Sequence, residues 1–197
     1  EILMMTEVGG QESLENLNRH FLGDRFVPYF VEGNSRRSID LGFLVRRDLP
    51  FRVEARSNRD TPVEVYTMQG KYTAKFSRDV AELRLHDPES DQLRLILLLT
   101  HLKSKLSTER DLQGKDVRTG EAMALAAHYQ GLRASLPDVP VVVGGDFNAS
   151  LSSLELELLA HTDLTDFHDL ISTPEEERTT LVHFDGAGKP QRLVLDY

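Results

Sequence analysis

The sequence contains no cysteine in its 197 residues, which excludes disulfide bonds, a catalytic thiolate and cysteine-bound zinc. Long hydrophobic runs are also missing, because the longest, around Leu95–Leu99, is far shorter than the roughly 20 residues that cross a bilayer. No basic stretch leads into an apolar one, so no secretory signal is recognised. We therefore expect no membrane insertion. The cytoplasm is slightly favoured, although nothing fixes the compartment or the oligomeric state.

Basic residues are in the minority, with 23 Lys and Arg against 32 Asp and Glu and a formal net charge of −9. Such a chain is not expected to hold nucleic acid mainly by neutralising many phosphates. An enzyme that contacts one or two phosphates through a metal ion is compatible with this charge. The hydrophobic share of 40% and the charged share of 28% are ordinary for a globular protein, and residues 1–197 predict a single domain.

Hydrophobic patterning predicts an α+β domain, with many strands and a few interleaved helices. Strands are predicted at Ile2–Val8, Phe26–Val31, Ile39–Val45, Val63–Met68, Val80–Leu85, Arg94–Thr100 and Val141–Val143, and longer helices at Gln11–Leu22 and Thr119–Leu136. A short helix ends at Leu159, and Thr179–Phe184 forms a hairpin with Arg192–Tyr197. Apart from Val63–Met68, residues 46–75 are predicted to be polar and irregular.

Several apolar strands deliver a polar residue at or near their ends, at Glu7, His101 and Asp146. Loops that are fixed on a rigid sheet are where catalytic groups tend to lie. Glu7 interrupts an apolar run, and a buried carboxylate must be paired or bound to a cation because burying it alone is costly. Metal ligation and an ion pair with an arginine are both open for Glu7. Asp196 is the matching acidic residue in the last apolar segment.

The clearest local motif is Gly-Gly-Asp-Phe-Asn-Ala at residues 144–149. Two glycines permit a tight turn or a close approach to a ligand, and Asp146 and Asn148 can point towards one site. The same residues also form ordinary turns, so both interpretations stand for the motif alone.

Two further polar residues have both a chemical and a structural interpretation. His101 can donate to a phosphoryl oxygen or transfer a proton, or it can simply bond a carbonyl at a strand edge. Arg78 can bind a phosphate with its planar guanidinium, or pair with Asp79. Taken together, these oxygen-rich groups favour Mg²⁺ or Mn²⁺ over zinc or copper, and they outline a metal-dependent phosphoesterase.

The order of these motifs resembles the endonuclease/exonuclease/phosphatase family, and in particular its deoxyribonuclease I-like members. Met5–Val8 resembles the strand that carries the family's metal-binding glutamate, and Phe76–Asp79 is similar to a Phe-Ser-Arg-Glu segment whose arginine approaches phosphate. Thr100–Leu102 is similar to the strand end with the catalytic histidine, and Gly145–Asn148 to the family's most characteristic motif. Leu195–Tyr197 resembles the late strand whose aspartate orients a final histidine.

The resemblance implies a four-layer α/β/β/α sandwich, in which two mixed β-sheets lie face to face between helices. It also implies a divalent metal, Mg²⁺ or else Mn²⁺, and cleavage of a P–O bond by water. By this resemblance, Glu7 would bind the metal, Asp146 would position or deprotonate the water, and Asn148 would hold that water or a phosphate oxygen. His101 would stabilise the developing charge, Arg78 would anchor the phosphate, and Asp196 would orient a histidine.

Two parts of the family pattern have no counterpart, namely a first strand with a metal-binding asparagine and a final Ser-Asp-His segment. We therefore expect the domain to be incomplete at both termini, and these 197 residues alone to show little turnover. The leading hypothesis is a Mg²⁺-dependent phosphodiesterase that acts on a phosphoester substrate, with nucleic acid as a candidate. The alternatives are a phosphatase of a lipid or small phosphoester, and a catalytically silent binding domain on the same scaffold.

Overall fold

The computed structural model describes residues 1–109, 111–174, 177–184 and 189–196, so the predicted turn at residues 185–188 and Tyr197 lie outside the described residues. Its strands are β1 Ile2–Val8, β2 Phe26–Val31, β3 Asp40–Arg46, β4 Arg52–Ser57, β5 Pro62–Thr67, β6 Gly70–Lys75, β7 Val80–His86, β8 Leu93–His101, β9 Val141–Asp146, β10 Leu181–Phe184 and β11 Pro190–Leu193. Its helices are α1 Gln11–Phe21, α2 Lys115–Ser135, α3 Glu157–Ala160 and α4 Phe167–Leu170, with 3₁₀ turns at Leu112–Gly114 and Leu154–Leu156. None of the helices in this part of the chain combines the length and the apolar character that crossing a membrane requires.

The first main sheet has three strands in the order β1-β3-β2, and both pairs are antiparallel. Helix α1 covers its outer face, where Leu14 packs with Val8, Phe26 and Leu44. The pairing of β1 with β3 is interrupted by a bulge between Met5 and Val8. Glu7 lies within this bulge, near the end of β1.

The second main sheet has four strands in the order β4-β7-β8-β9. Strands β8 and β9 are parallel, whereas the other pairs are antiparallel, so this sheet is mixed. Parallel neighbours need a crossover connection, and α2 supplies it between β8 and β9. Because the two strands run the same way, His101 and Asp146 end at the same edge of the sheet.

The two sheets pack face to face and form the inner layers of the predicted four-layer α/β/β/α sandwich. The core between them consists of Val31, Leu41, Phe43 and Val45 from the first sheet and Ala81, Leu83, Leu85, Leu97 and Leu99 from the second. Helix α2 and the β5–β6 hairpin cover the outer face of the second sheet. Each fully buried Val, Leu or Phe contributes about 1.5–3 kcal/mol relative to an exposed one, so these layers fix the sheet edges in space.

The prediction for residues 46–75 was wrong, because this region contains three strands, β4, β5 and β6, and not one. Strands β4 and β6 are polar and lie largely at the surface. Strand β4 pairs with β7 and β6 pairs with β5, so hydrogen bonding to a neighbour stabilises strands that their composition does not indicate. Of the two sheets predicted to be mixed, the three-stranded one is antiparallel. A C-terminal hairpin is present as β10 and β11, but its second strand lies at Pro190–Leu193 and not at the predicted Arg192–Tyr197.

Candidate active site

The candidate site lies at the edge of the second sheet where β8 and β9 end. His101 and Asp146 are register partners on these strands, and His101 Nε2 lies 3.5 Å from Asp146 Oδ2. Asp146 also forms an isolated antiparallel bridge with Asp196, which brings the late acidic residue to the same edge. A cleft of about 220 Å³ opens here, lined by Met4, Thr6, Gly144, Gly145, Asp146 and Asp196. Strand β1 of the first sheet therefore faces the end of β9 across this cleft.

His101 is 3% exposed, and its buried Nδ1 has no hydrogen-bond partner among the described residues. Burial, and then the positive charges of Arg78 and Arg37, lowers the pKa of His101 to about 4. The imidazole is therefore neutral at neutral pH. A neutral imidazole carries one N–H group, which can donate one hydrogen bond to a phosphoryl oxygen.

Asp146 is the most strongly influenced carboxylate in the cleft, and 25% of its side chain is exposed. Burial raises the pKa of Asp146, the charges of Asp196 and Glu7 raise it further, and the Asn148 amide and Arg78 oppose the rise. The charges of two other acidic side chains therefore act on Asp146 at this edge. The charge of Glu7 acts on Asp146, and the sequence prediction that separate strands bring the two residues to one site stays a prediction.

Glu7 differs from its prediction in one respect, because its side chain is exposed and not buried. The residue has a positive φ of 56° and sits in the bulge of β1, so the backbone turns its carboxylate out of the apolar layer. The argument that burial forces Glu7 to have a partner is therefore wrong. Its charge still acts on both Asp146 and Arg78, which places it beside the site.

Arg78 and Asn148 meet at the backbone carbonyl of Leu102, the residue that follows His101. Arg78 Nη1 donates to this oxygen at 3.0 Å and Asn148 Nδ2 donates to it at 3.1 Å. The alternative pairing of Arg78 with Asp79 is not what the structure contains, because Asp79 accepts from Ser57 Oγ at 2.6 Å and from the Asn58 amide at 2.8 Å. Both side chains thus fix the backbone next to His101.

The Gly-Gly-Asp-Phe-Asn motif combines both of its sequence interpretations. The Asn148 amide donates to Asp146 Oδ1 at 2.8 Å, which is ordinary Asx-turn geometry, and Asn148 has a φ of 52°. Gly145 has a φ of 131°, and a Cβ there would lie 2.0 Å from the carbonyl oxygen of Thr100. Only glycine permits this approach, so the motif holds β9 tightly against β8 where the two functional side chains emerge.

Sequence reasoning missed two charged residues of α2 that support the site, Glu121 and Arg118, each 1% exposed. Glu121 accepts from the backbone amides of Ser77 and Lys103, each at 2.6 Å. Arg118 Nη1 donates to the Lys103 carbonyl at 3.0 Å. Helix α2 therefore binds the backbone amide and the backbone carbonyl of Lys103, which follows His101 in the chain. It also binds the backbone amide of Ser77, which precedes Arg78.

A signal for these two residues was present in the sequence. Arg118 and Glu121 lie at helical spacing from Ala122 and Leu125, so they continue the apolar stripe that predicted α2. A charge within such a stripe has to be bonded when it is buried. That observation would have marked both residues for closer attention.

The donor groups at this edge suit Mg²⁺ in type, because they are carboxylate and amide oxygens. In the described ranges, which omit residues 110, 175, 176, 185–188 and 197, no three His, Asp or Glu side chains form a metal-holding cluster. Mg²⁺ is commonly held by one or two carboxylates together with water and substrate phosphate, and it does not need a complete protein cage. Glu7, exposed beside mutually repelling carboxylates, fits such a site.

The chain has the fold of the endonuclease/exonuclease/phosphatase proteins. An endonuclease/exonuclease/phosphatase protein from Bacteroides vulgatus matches with a TM-score of 0.50 and 13% identity, over 83% of this chain and 57% of that one. The human Nocturnin catalytic domain with bound sulfate anion matches with a TM-score of 0.62 and 17% identity, over 87% and 61%. D. rerio TDP2 complexed with single strand DNA product matches with a TM-score of 0.59 and 14% identity, over 99% and 68%.

The chain spans about 60% of the length of the Nocturnin domain that it matches. No protein-family model matches the sequence, and no curated protein matches it at a significant level. At these identities the likeness establishes the fold, while the roles of individual residues rest on the geometry described above.

Proposed function

We propose that the chain is a divalent-metal-dependent phosphodiester hydrolase of the nuclease type. The observation that carries this proposal is the meeting of His101 and Asp146 at adjacent parallel strand ends, with Glu7 and Arg78 beside them. The fold supports it, because the structural neighbours include endonuclease/exonuclease/phosphatase proteins and a TDP2 complexed with single strand DNA product.

The side chains supply distinct parts of a hydrolysis. Water must lose one proton as its oxygen forms a bond to phosphorus, while the P–O bond to the leaving alcohol breaks and that oxygen takes up a proton from solvent. Asp146, whose pKa is raised mainly by burial, is the group that positions the water and accepts its proton. His101, neutral and buried, donates a hydrogen bond to the phosphoryl oxygen where negative charge develops. Arg78 anchors the phosphate, and Asn148 holds the water or a second phosphate oxygen.

Glu7 is the residue that we expect to hold Mg²⁺, or Mn²⁺ in its place. The ion would neutralise charge on the phosphate and polarise its P–O bonds. Asp196, bridged to Asp146, adds negative charge to the cleft and sets the electrostatic environment of that carboxylate.

The test is cleavage of a fluorescently labelled single-stranded oligonucleotide by the full-length protein in Mg²⁺, with and without chelator. We expect cleavage that stops when the chelator is added and that Asp146→Asn abolishes while circular dichroism shows an unchanged fold. Release of inorganic phosphate from a monoester, without strand cleavage, would favour the phosphatase alternative instead. Absence of any hydrolysis with Mg²⁺ or Mn²⁺ would overturn the proposal in favour of a silent binding scaffold.

A further inference from the structure

The loop between β2 and β3 is docked directly onto the segment that carries Arg78. The Asn34 amide donates to the Arg78 carbonyl at 2.8 Å, and Asn34 Nδ2 donates to the Phe76 carbonyl at 3.0 Å. A Cβ on Gly33 would lie 2.8 Å from the Arg78 carbonyl oxygen, so the loop approaches more closely than another residue type allows. Asp40 Oδ1 accepts from the Gly33 amide at 2.9 Å. The loop is therefore fixed relative to the candidate site.

Arg37 lies in this loop, and its backbone is fixed while its side chain is exposed. Ser35 Oγ accepts from the amides of Arg37 and Ile39, at 3.3 and 3.4 Å, which shapes the turn. In the part of the chain that the structure describes, the Arg37 guanidinium has no ion pair and no hydrogen bond.

The positive charge of Arg37 acts on two residues of the candidate site, His101 and Arg78. Burial comes first in lowering the pKa of His101, and Arg78 and then Arg37 add to the effect. Burial also lowers the pKa of Arg78, and Arg37 contributes there as well. Two guanidinium groups that repel each other are stabilised when an anion joins them, and a planar guanidinium is well suited to phosphate.

We propose that Arg37 binds the substrate phosphate next to the one anchored by Arg78, so that the substrate is a nucleic-acid strand with at least two consecutive phosphates. This inference rests on the proposed function and names its substrate class. A substrate with a single phosphate would leave Arg37 without a partner. The second contact would add affinity along the strand without adding any group to the chemical step.

Arg36 provides a matched control, because it adjoins Arg37, carries the same charge and is also exposed. The variants Arg37→Ala, Arg37→Lys and Arg36→Ala are compared on a single-stranded oligonucleotide and on bis(p-nitrophenyl) phosphate, which has one phosphate. We expect Arg37→Ala to lower kcat/KM on the oligonucleotide about tenfold or more, and to reduce its salt dependence by about one unit of slope. It should leave the one-phosphate substrate unchanged. Arg37→Lys should recover part of the loss, and Arg36→Ala should change neither substrate.

Two outcomes would overturn the role of Arg37. One is an unchanged rate on the oligonucleotide, and the other is an equal loss on both substrates, which would place Arg37 at the scissile phosphate. If the unsubstituted protein hydrolyses neither substrate, the proposed function fails but the inference is still decided by binding. Fluorescence anisotropy then measures how tightly the labelled oligonucleotide binds to Asp146→Asn and to the double variant with Arg37→Ala. A lower affinity in the double variant supports the role of Arg37, and an equal affinity refutes it.

Discussion

Replacing Asp146 with asparagine should stabilise the fold while removing activity. Asparagine keeps an oxygen that can accept the Asn148 amide, so the turn survives the change. The change removes one of the negative charges that meet at this edge, where Asp196 and Glu7 both raise the pKa of Asp146 in addition to burial. The Asp146 carboxylate is therefore expected to lower the stability of the fold through charge repulsion and not through poor packing.

The size of the effect follows from the bridge between Asp146 and Asp196. Residues opposed in an antiparallel pair have Cα atoms about 5 Å apart. The two carboxylate groups extend beyond the Cα atoms and are taken as about 7 Å apart. At that separation their unit charges interact by about 2.4 kcal/mol with an effective dielectric constant of about 20. Asp196 is exposed, and solvent screening reduces this to about 1 kcal/mol. In a chain of this size that corresponds to a melting temperature about 2–4 °C higher.

The assay is thermal unfolding of both proteins with chelator present, at pH 7.5 and at pH 4.5. Because the folded-state pKa of Asp146 is raised, the unsubstituted protein is favoured below the ordinary aspartate pKa of about 3.9 and loses that advantage as pH rises through the folded value. The gain in Asp146→Asn should therefore be larger at pH 7.5. Asp138→Asn, an exposed residue at the opposite end of β9, should show no such gain. A less stable Asp146→Asn protein, or a gain equal at both pH values, would refute the reasoning.

Two further substitutions test how the site is supported. Glu121→Leu should lower the free energy of unfolding by about 3 kcal/mol, because two part-buried backbone amides lose a charged acceptor that is itself buried. Denaturant unfolding measures this loss, and Glu157→Gln on the exposed surface of α3 should change little. Gly145→Ala should cost more than about 2 kcal/mol, because its Cβ would meet the Thr100 carbonyl at a φ of 131°. Gly131→Ala, where the helix leaves open space, should instead stabilise by about 1 kcal/mol, and a Gly145→Ala protein that melts with the unsubstituted one would contradict the strand contact.

The strands with apolar cores could be predicted from the sequence, because burial on both faces leaves a continuous hydrophobic run. Strand β8 is of this kind from Ile96 onward. The start of β9 is an equally apolar run of three valines and is predicted for that reason, although Val142 is exposed. Strands β4 and β6 could not be located, since Arg52–Ser57 and Gly70–Lys75 are largely polar and exist through backbone pairing with β7 and β5. Strand pairing is a long-range interaction, and local composition carries little information about it.

The site divides in the same way. His101 and Asp146 could be predicted because each ends an apolar strand, and a polar residue at the end of an apolar run is visible in the sequence. The partners of Glu121 and the setting of Arg37 could not, although the apolar stripe of α2 marks Glu121 as a buried charge, because the importance of both residues comes from what they contact or face across the fold. Glu121 reaches amides 18 and 44 positions away in sequence, and the loop of Arg37 is held by contacts to Phe76 and Arg78. Only the packed structure shows these relations.

We expect Glu7 and Asp146 to act on one cation beside a phosphate. A double-mutant cycle in Mn²⁺ affinity tests it directly, with Glu7→Gln, Asp146→Asn and the combined variant followed by electron paramagnetic resonance. Each single change should weaken binding, and the combined loss should differ from the sum of the two by about 0.5–3 kcal/mol, because groups that share a ligand are coupled. Unchanged affinity in either single variant, or two losses that simply add, would contradict the account.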